Sequence, residues 1–237
     1  MKACKNVFAF FLALLMCIAL AAPAFAATPA KITGINTAMS FVTSGSDVIN
    51  IRKAKLYKGI LKTGDIYLVG VKGWNTKLYV NPSDIDKNDI LSCILGLSFI
   101  SNPYLTQLKN RIQSEVPKGA KIVLMGHSLG GIVCEQASAD STLKSKYEIV
   151  NTLTLGSPYI GTTGKKEGSL YRMADTADPV TYLGLSGLAN LWLGNVAREN
   201  SGKIGMDVHV DSYTSSSCWS KYDALGVKNG NTSIVLN

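Results

Sequence analysis

Histidine is the scarcest residue in this sequence, with two copies, His127 and His209, among 237 residues. A zinc site needs several histidine or cysteine ligands at characteristic spacings. No such spacing occurs in the sequence, so we expect no metal site. No basic cluster with interleaved aromatic residues occurs either, which argues against nucleic-acid binding. Beyond the N-terminus, no apolar run is long and unbroken enough for a transmembrane helix.

The N-terminus has the pattern of an export signal. Lys2 and Lys5 precede a nearly uninterrupted apolar stretch at residues 7–22, and residues 24–26 read Ala-Phe-Ala. A basic start, an apolar centre and a small-x-small ending predict a signal peptide over residues 1–26 that is cleaved on export. An uncleaved membrane anchor is the alternative, because the stretch approaches the length of a bilayer span. We therefore expect a protein that is secreted or lies in the cell envelope or periplasm.

Residues 27–237 are long enough for one domain with a sizeable core, and they show no repeats and no linker. The whole chain has a formal net charge of +8, of which the signal contributes two lysines. A basic surface is compatible with peripheral contact with anionic lipid surfaces, or with solubility alone. No obligate protein partner is evident.

Three cysteines follow the predicted signal, Cys93, Cys134 and Cys218. Export permits a disulfide, and Cys93 with Cys218 is the pair we expect, although spacing does not fix connectivity. Cys134 falls in a predicted helix, where a small buried thiol is the ordinary role.

Apolar runs alternate with helix-like segments along the chain. Strands are predicted at residues 48–58, 65–71, 120–125, 147–155 and 170–174, and helices at residues 105–116 and 132–138. Apolar runs without clean alternation are typical of strands buried on both faces, and helical patterns between them favour parallel pairing. The sequence therefore predicts an α/β fold with a mostly parallel central sheet flanked by helices. Sites in such sheets lie at the carboxyl ends of the strands.

Residues 126–131, Gly-His-Ser-Leu-Gly-Gly, contain a G-x-S-x-G motif between a predicted strand and a predicted helix. In that context the motif forms a strained turn that exposes a serine hydroxyl. Glycines flank the serine because the turn is tight and neighbouring chain packs closely. The motif predicts Ser128 as the nucleophile of a serine hydrolase, and a plain glycine-rich loop is the alternative.

A serine nucleophile needs a base, usually histidine, and the base needs an acid that orients it. His127 adjoins Ser128 and cannot easily reach its hydroxyl, so we expect it to pack beside the turn. His209 is then the base by elimination. The acid should lie between the serine and the histidine in sequence. Asp178 fits best, because it follows a predicted strand and precedes a proline, and Asp175 is the runner-up.

A tetrahedral intermediate also needs backbone N–H donors. We expect one from Leu129, directly after the nucleophile, and one from the loop after the strand at residues 65–71, near Trp74. Apolar segments at residues 182–193 and 90–100 remain. Each is either a core helix or the wall or lid of an acyl pocket.

In this arrangement the chain resembles the class 3 lipases, the fungal-type triacylglycerol lipase family of α/β-hydrolases. The resemblance spans approximately residues 67–213 and is carried by ordered motifs: the strand leading to Lys72-Gly73, residues 126–131, the Leu-Gly-Ser-Pro-Tyr-Ile-Gly segment at residues 155–161, Asp178-Pro179-Val180, and His209. It implies Ser128, Asp178 and His209 as the catalytic triad. It further implies amides at Leu129 and near Trp74 as the oxyanion hole, and no cofactor.

The resemblance implies hydrolysis of carboxylic esters of acylglycerols or related lipids through an acyl-enzyme, as in a triacylglycerol lipase or carboxylesterase acting on a lipid or small ester. A phospholipase A-type activity is the nearest alternative, because a basic surface favours anionic lipid. A thioesterase or acyltransferase would use the same triad with a different acceptor. A non-catalytic surface-binding protein that retains the fold is the alternative from another class.

Overall fold

The computed structural model describes residues 27–73, 103–159, 165–182, 194–203 and 208–237. Its strands are β1 (Lys31–Ile32), β2 (Ile49–Lys58), β3 (Leu61–Val71), β4 (Lys121–His127), β5 (Glu148–Leu155), β6 (Ser169–Asp175), β7 (Val196–Glu199) and β8 (Thr232–Leu236). Its α-helices are α1 (Ile35–Thr43), α2 (Pro103–Glu115), α3 (Leu129–Ala139), α4 (Ser141–Lys144) and α5 (Val208–Thr214), and a 3-10 turn covers Pro179–Tyr182. The predicted signal at residues 1–26, Trp74, Cys93 and the apolar segments at residues 90–100 and 183–193 lie outside the described residues.

The eight strands form one sheet in the order β1-β8-β2-β3-β4-β5-β6-β7. From β3 to β7 every neighbouring pair is parallel, whereas β1, β8, β2 and β3 pair antiparallel at the other side. Parallel neighbours need crossover connections, and helices α2 and α3 lie on the crossovers that lead into and out of β4. The predicted α/β-hydrolase fold, with a mostly parallel sheet flanked by helices, is confirmed.

The central strand β4 shows why the sheet is covered on both sides. Ile122 and Leu124 pack into the cluster that contains the apolar faces of α2 and α3. Val123 and Met125, which alternate with them, pack into the cluster that contains α1. Since successive side chains of a strand point to opposite faces, an uninterrupted apolar run fits a strand buried on both. This burial fixes the position of β4 in the sheet, and therefore the position of the serine motif at its end.

The two described cysteines are both free thiols. Cys134 is buried in α3 as predicted, and burial raises the pKa of its thiol well above the ordinary value. The predicted disulfide between Cys93 and Cys218 is wrong for this structure, because Cys218 packs as a free thiol against the hydrophobic cluster on the α1 side of the sheet. In the described part of the chain, no helix is both long and apolar enough to cross a bilayer.

Candidate active site

Ser128 lies in the turn between β4 and α3, with φ 56° and ψ −126°. A positive φ is strained for a residue with a side chain, at roughly 1–3 kcal/mol, and persists only where the surroundings enforce it. Here the Ser128 amide donates to the Leu155 carbonyl at 3.0 Å. The Ser157 hydroxyl donates to the Ser128 carbonyl at 2.8 Å. Residues at and just after the end of β5 thus bind both the amide and the carbonyl of Ser128. The serine has the turn geometry that the motif predicts.

Two glycines allow neighbouring chain to approach this turn. A Cβ on Gly130 would lie 2.2 Å from the carbonyl oxygens of both Val71 and Lys72, so a side chain there would push α3 away from the end of β3. A Cβ on Gly73 would lie 2.7 Å from the Cβ of Ser128 and 3.3 Å from its Oγ. The loop after β3 therefore passes directly beside the serine hydroxyl, and only glycine fits at its point of closest approach.

His209 and Asp178 form a buried hydrogen-bonded pair. The Nδ1 atom of His209 lies 3.1 Å from Oδ1 and 3.0 Å from Oδ2 of Asp178. A carboxylate accepts and does not donate, so Nδ1 carries the proton and Nε2 of the neutral ring is the basic nitrogen. His209 is 2% exposed and Asp178 is fully buried. The His209 Nε2 atom is buried without a hydrogen-bond partner in the described part of the chain.

Further bonds hold the Asp178 carboxylate in place. Its Oδ1 accepts from the amide of Val180 at 2.9 Å, in the 3-10 turn that follows. Its Oδ2 accepts from the Tyr213 hydroxyl, also at 2.9 Å. A buried charge that accepts several hydrogen bonds stays in one orientation. The ring of His209 is therefore fixed by a carboxylate that is itself fixed.

His127 connects the serine turn to this pair. Its Nε2 lies 2.8 Å from the carbonyl oxygen of His209. The two imidazole rings pack with their centroids 4.5 Å apart. Since Ser128 follows His127 directly, these contacts place Ser128, His209 and Asp178 at the same edge of the sheet, where β4, β5 and β6 end. The expectation that His127 packs beside the turn is confirmed. Burial, and after it the nearby His209, lower the pKa of His127 to about 3, so the ring is neutral.

Asp175, the runner-up for the acid, has different partners. It is fully buried, and its carboxylate accepts from the hydroxyl of Ser212 at 2.6 Å and from the amides of Ala177 at 2.8 Å and Ser201 at 3.1 Å. Burial alone would raise its pKa, but these hydrogen bonds hold the pKa below the ordinary value. Asp175 thus joins β6 to α5 and to the turn after β6, while Asp178 contacts the imidazole.

Tyr213 supports the site and was not predicted from the sequence, whereas Ser157 lies in the motif at residues 155–161 but had no predicted role. The Tyr213 hydroxyl donates to Asp178 and accepts from the amide of Asp175 at 3.0 Å. Burial and the neighbouring Asp178 raise the pKa of Tyr213 well above its ordinary value. Tyr213 lies four residues after His209 on α5, so recognising a helix there would have placed both side chains on one face.

Of the two expected oxyanion donors, the structure describes Leu129. Leu129 is the first residue of α3 and is buried, and the amide of a first helical residue has no acceptor within its own helix. Trp74 lies outside the described residues, but the chain leading to it is anchored. The Lys72 ammonium donates to the Gly45 carbonyl at 2.5 Å, and the Tyr104 hydroxyl donates to the Lys72 carbonyl at 2.8 Å. Burial lowers the pKa of Lys72.

Comparison with protein-family models matches residues 86–203 to the family described as "Putative serine esterase (DUF676)". The chain is similar to these serine esterases. The matched segment includes Ser128 and Asp178 and ends before His209. Searches of curated proteins and of solved structures found no match.

This similarity supports a serine hydrolase with ester hydrolase chemistry in general. It does not single out the class 3 lipases, so that finer resemblance stays a prediction. Among the described residues, no group of three or more histidine, cysteine, aspartate or glutamate side chains is arranged to hold a metal ion.

Proposed function

We propose that this protein is an exported serine hydrolase that cleaves carboxylic esters of lipids with Ser128 as nucleophile, His209 as base and Asp178 as orienting acid. The observation that carries the proposal is the buried Asp178–His209 pair at 3.0 Å beside the strained turn of Ser128. The strained turn and the buried pair each lower the stability of the fold, and packing of the core requires neither of them. Together they supply what nucleophilic catalysis by serine needs.

In the proposed reaction, the Ser128 hydroxyl oxygen attacks the ester carbonyl while its proton passes to Nε2 of His209. The oxygen of the resulting tetrahedral intermediate accepts hydrogen bonds from the Leu129 amide and from the loop near Trp74. The intermediate collapses, the carbon–oxygen bond to the alcohol breaks, and His209 gives its proton to the leaving alkoxide. Asp178 holds the imidazole in the correct tautomer and stabilises the transient imidazolium. Water then repeats the sequence on the acyl-serine and releases the carboxylic acid.

The excess of basic residues favours a second candidate, a phospholipase A-type activity on anionic glycerophospholipids. The chain has 24 lysine and arginine residues against 16 aspartate and glutamate residues. An anionic lipid surface would concentrate such a protein near its substrate. The chemistry of the bond cleaved is the same, so only the substrate distinguishes the two candidates.

The first experiment measures hydrolysis of p-nitrophenyl esters from acetyl to palmitoyl, with the Ser128→Ala variant run alongside. We expect cleavage that depends on Ser128, with a loss of several orders of magnitude in kcat for the variant. A peak at long acyl chains supports a lipase, and a peak at short chains supports a small-ester esterase. Hydrolysis of phosphatidylglycerol in preference to these esters and to triacylglycerol supports the phospholipase. Wild-type turnover in a folded Ser128→Ala protein would overturn the proposal.

The acid is tested with two matched substitutions. Asp178→Asn should lower kcat by roughly 10⁴-fold, as expected when the base loses its tautomer partner. Asp175→Asn removes a carboxylate of the same kind three positions earlier, and its loss should appear mainly as lower stability. Equal losses of kcat in two folded variants would contradict the assignment of Asp178.

A further inference from the structure

His127 makes one specific polar contact for which the proposed reaction has no use. A carbonyl oxygen only accepts hydrogen bonds, so in the 2.8 Å contact the Nε2 atom of His127 donates to the main-chain oxygen of His209. The ring is neutral and 7% exposed. Its position is set on two sides, by the His209 ring at a centroid distance of 4.5 Å and by the edge of the Tyr213 ring at 6.0 Å.

The element that carries His209 needs such an anchor. Helix α5 has seven residues, Val208–Thr214, which is too short to be stable in isolation. Its position must therefore come from side-chain bonds and packing. The Asp178 bond fixes the imidazole ring of His209, whereas the bond from His127 fixes the main chain of the same residue.

We propose that His127 is a positioning residue that sets the distance between the serine nucleophile and its base. His127 is covalently joined to Ser128 and hydrogen-bonded to His209, so one peptide unit and one hydrogen bond connect the two reacting groups. Without the bond, we expect α5 to move relative to the turn, which changes the separation between the Nε2 atom of His209 and the serine hydroxyl. This inference rests on the proposed function.

The test compares His127→Leu, which removes the donor, with His127→Gln, whose amide nitrogen can occupy the place of Nε2. On p-nitrophenyl acetate we expect His127→Leu to lower kcat by about 100-fold with little change in KM, as for a small misplacement of a catalytic group. His127→Gln should recover most of that loss. A folded His127→Leu protein with wild-type kcat, or equal losses in the two variants, would overturn the inference.

A measurement on the wild-type protein avoids the risk that a variant fails to fold. Nitrogen-15 chemical shifts at neutral pH should show His127 as the tautomer with the proton on Nε2. A proton on Nδ1, or a charged ring, would overturn the inference independently of activity. If Ser128→Ala retains turnover, the proposed function fails instead, whatever the tautomer of His127.

A second and independent observation concerns the turn between β2 and β3. Ile60 is 96% exposed and Leu61 is 70% exposed, and they are the exposed large hydrophobic residues of the described chain. The parallel pairing of β3 with β4 begins at Tyr67, so the first six residues of β3 extend past it by about 20 Å. Strand β8 pairs with the other side of β2 up to Lys58, so the two adjacent apolar side chains lie at the turn of a hairpin that extends past the start of β4.

Lysines outnumber acidic residues around this tip. Lys58 and Lys62 flank the two apolar residues and are exposed, with Asp65 as the acid that pairs with Lys62 at 2.7 Å. Lys118 and Lys146 lie at the same edge of the sheet, before β4 and β5. Apolar side chains that enter an acyl layer, surrounded by lysines that reach lipid phosphates, are suited to an anionic membrane surface.

The geometry points to the β2–β3 hairpin tip as a docking element for anionic lipid surfaces. The tip lies at the start of β3, whereas Gly73 and Ser128 follow the carboxyl ends of β3 and β4. Docking through the tip therefore holds the serine at the far edge of the sheet, turned away from the membrane that carries the protein, so this docking does not support the phospholipase candidate.

Vesicle sedimentation tests this docking with phosphatidylcholine alone and with phosphatidylcholine mixed with phosphatidylglycerol. We expect binding to the mixed vesicles only, and loss of it at high salt. Lys58→Ser with Lys62→Ser should lower the partition coefficient about 25-fold, at about fivefold for each lysine. Ile60→Ser with Leu61→Ser should also lower it, while hydrolysis of p-nitrophenyl acetate is unchanged in both.

Lys203→Ser removes the same charge at the opposite edge, beyond β7, and should bind vesicles as wild type does. Wild-type binding by the Ile60 and Leu61 variant, an equal loss in the Lys203 control, or no vesicle binding at low salt would overturn the docking proposal.

Discussion

Replacing Arg172 by leucine should destabilise the fold strongly, because it leaves a carboxylate buried without its main partner. Glu135 on α3 is fully buried, and Arg172 on β6 is 4% exposed. The guanidinium donates to both oxygens of Glu135 at 2.7 Å, and donates also to the Asn195 side chain at 2.9 Å. A second cation, Lys166, lies 3.1 Å from Glu135 and is partly exposed.

The magnitude follows from burial. Removing one partner of a buried, hydrogen-bonded ion pair costs about 3–5 kcal/mol, since the charge that remains is neither solvated nor paired. Lys166 still compensates in part, which favours the lower end of that range. For a domain of this size, each kcal/mol lowers Tm by roughly 2–4 °C, so Arg172→Leu should melt at least about 6 °C below wild type.

Urea unfolding at neutral pH measures this with a matched control. Lys203 and Asp211 form an exposed pair at 3.1 Å, with side chains 42% and 53% exposed. Lys203→Leu should cost less than about 1 kcal/mol, because exposed pairs contribute little. The double change Glu135→Leu with Arg172→Leu should be less destabilising than Arg172→Leu alone, because no carboxylate then stays buried.

Two results would refute this reasoning. One is an Arg172→Leu protein whose unfolding free energy lies within about 1 kcal/mol of wild type. The other is a double variant whose loss equals the sum of the two single losses, since partners of one buried pair are expected to be non-additive.

Three other predictions concern the candidate site. Gly73→Ala should lower kcat about 100- to 1000-fold, because its Cβ would lie 2.7 Å from that of Ser128 and displace the expected oxyanion loop; wild-type kcat would contradict the close approach. Tyr213→Phe should lower the unfolding free energy by about 1–3 kcal/mol, because the Asp178 carboxylate and the Asp175 amide lose a buried partner; thermal melting measures it. His127 has a folded-state pKa of about 3, below its ordinary 6.5, so the unfolded chain binds the proton first and stability should fall as pH drops from about 6.5 to about 3. Urea titrations across that range should show a shallower fall in His127→Gln.

The elements that the sequence predicts best are those whose apolar pattern is unambiguous. Helix α2 was expected at residues 105–116 from the spacing of Leu108 and Ile112, and both are fully buried on one face. Strand β4 and helix α3 follow from the motif as well as from hydrophobicity. Local pattern suffices there, because local preference and tertiary packing favour the same structure.

Elements formed mainly by tertiary contacts were not predicted. Helix α5 is short and reads Val-His-Val-Asp-Ser-Tyr-Thr, with little intrinsic helix preference. It is held by a stacked pair between Tyr213 and Trp219, whose rings are 5.6 Å apart, and by the Trp219 indole donating to the Ser212 carbonyl at 3.1 Å. Nothing in the seven residues themselves encodes those partners.

The choice between the two candidate acids also depends on tertiary contacts that the local sequence does not encode. Asp175 is the last residue of β6 and Asp178 follows it by three positions, so either could reach a neighbouring strand end. The structure separates them through groups distant in sequence, because Ser201 and Ser212 bind Asp175 while His209 and Tyr213 bind Asp178. The local sequence restricts the candidates for the acid to two neighbouring residues. Hydrogen bonds from residues distant in sequence then distinguish between them.

The order of the strands has a consequence for how the chain folds. Strand β2 pairs on one side with β3, its neighbour in sequence, and on the other with β8, the last element of the fold. During synthesis, this second edge of β2 stays unpaired until β8 has been made, after nearly every other strand. Until then it offers an unpaired ladder to any extended chain nearby. A chain that ends before Thr232 should therefore associate with other chains through the unpaired edge of β2. In the full chain, pairing with β8 covers that edge and prevents this association.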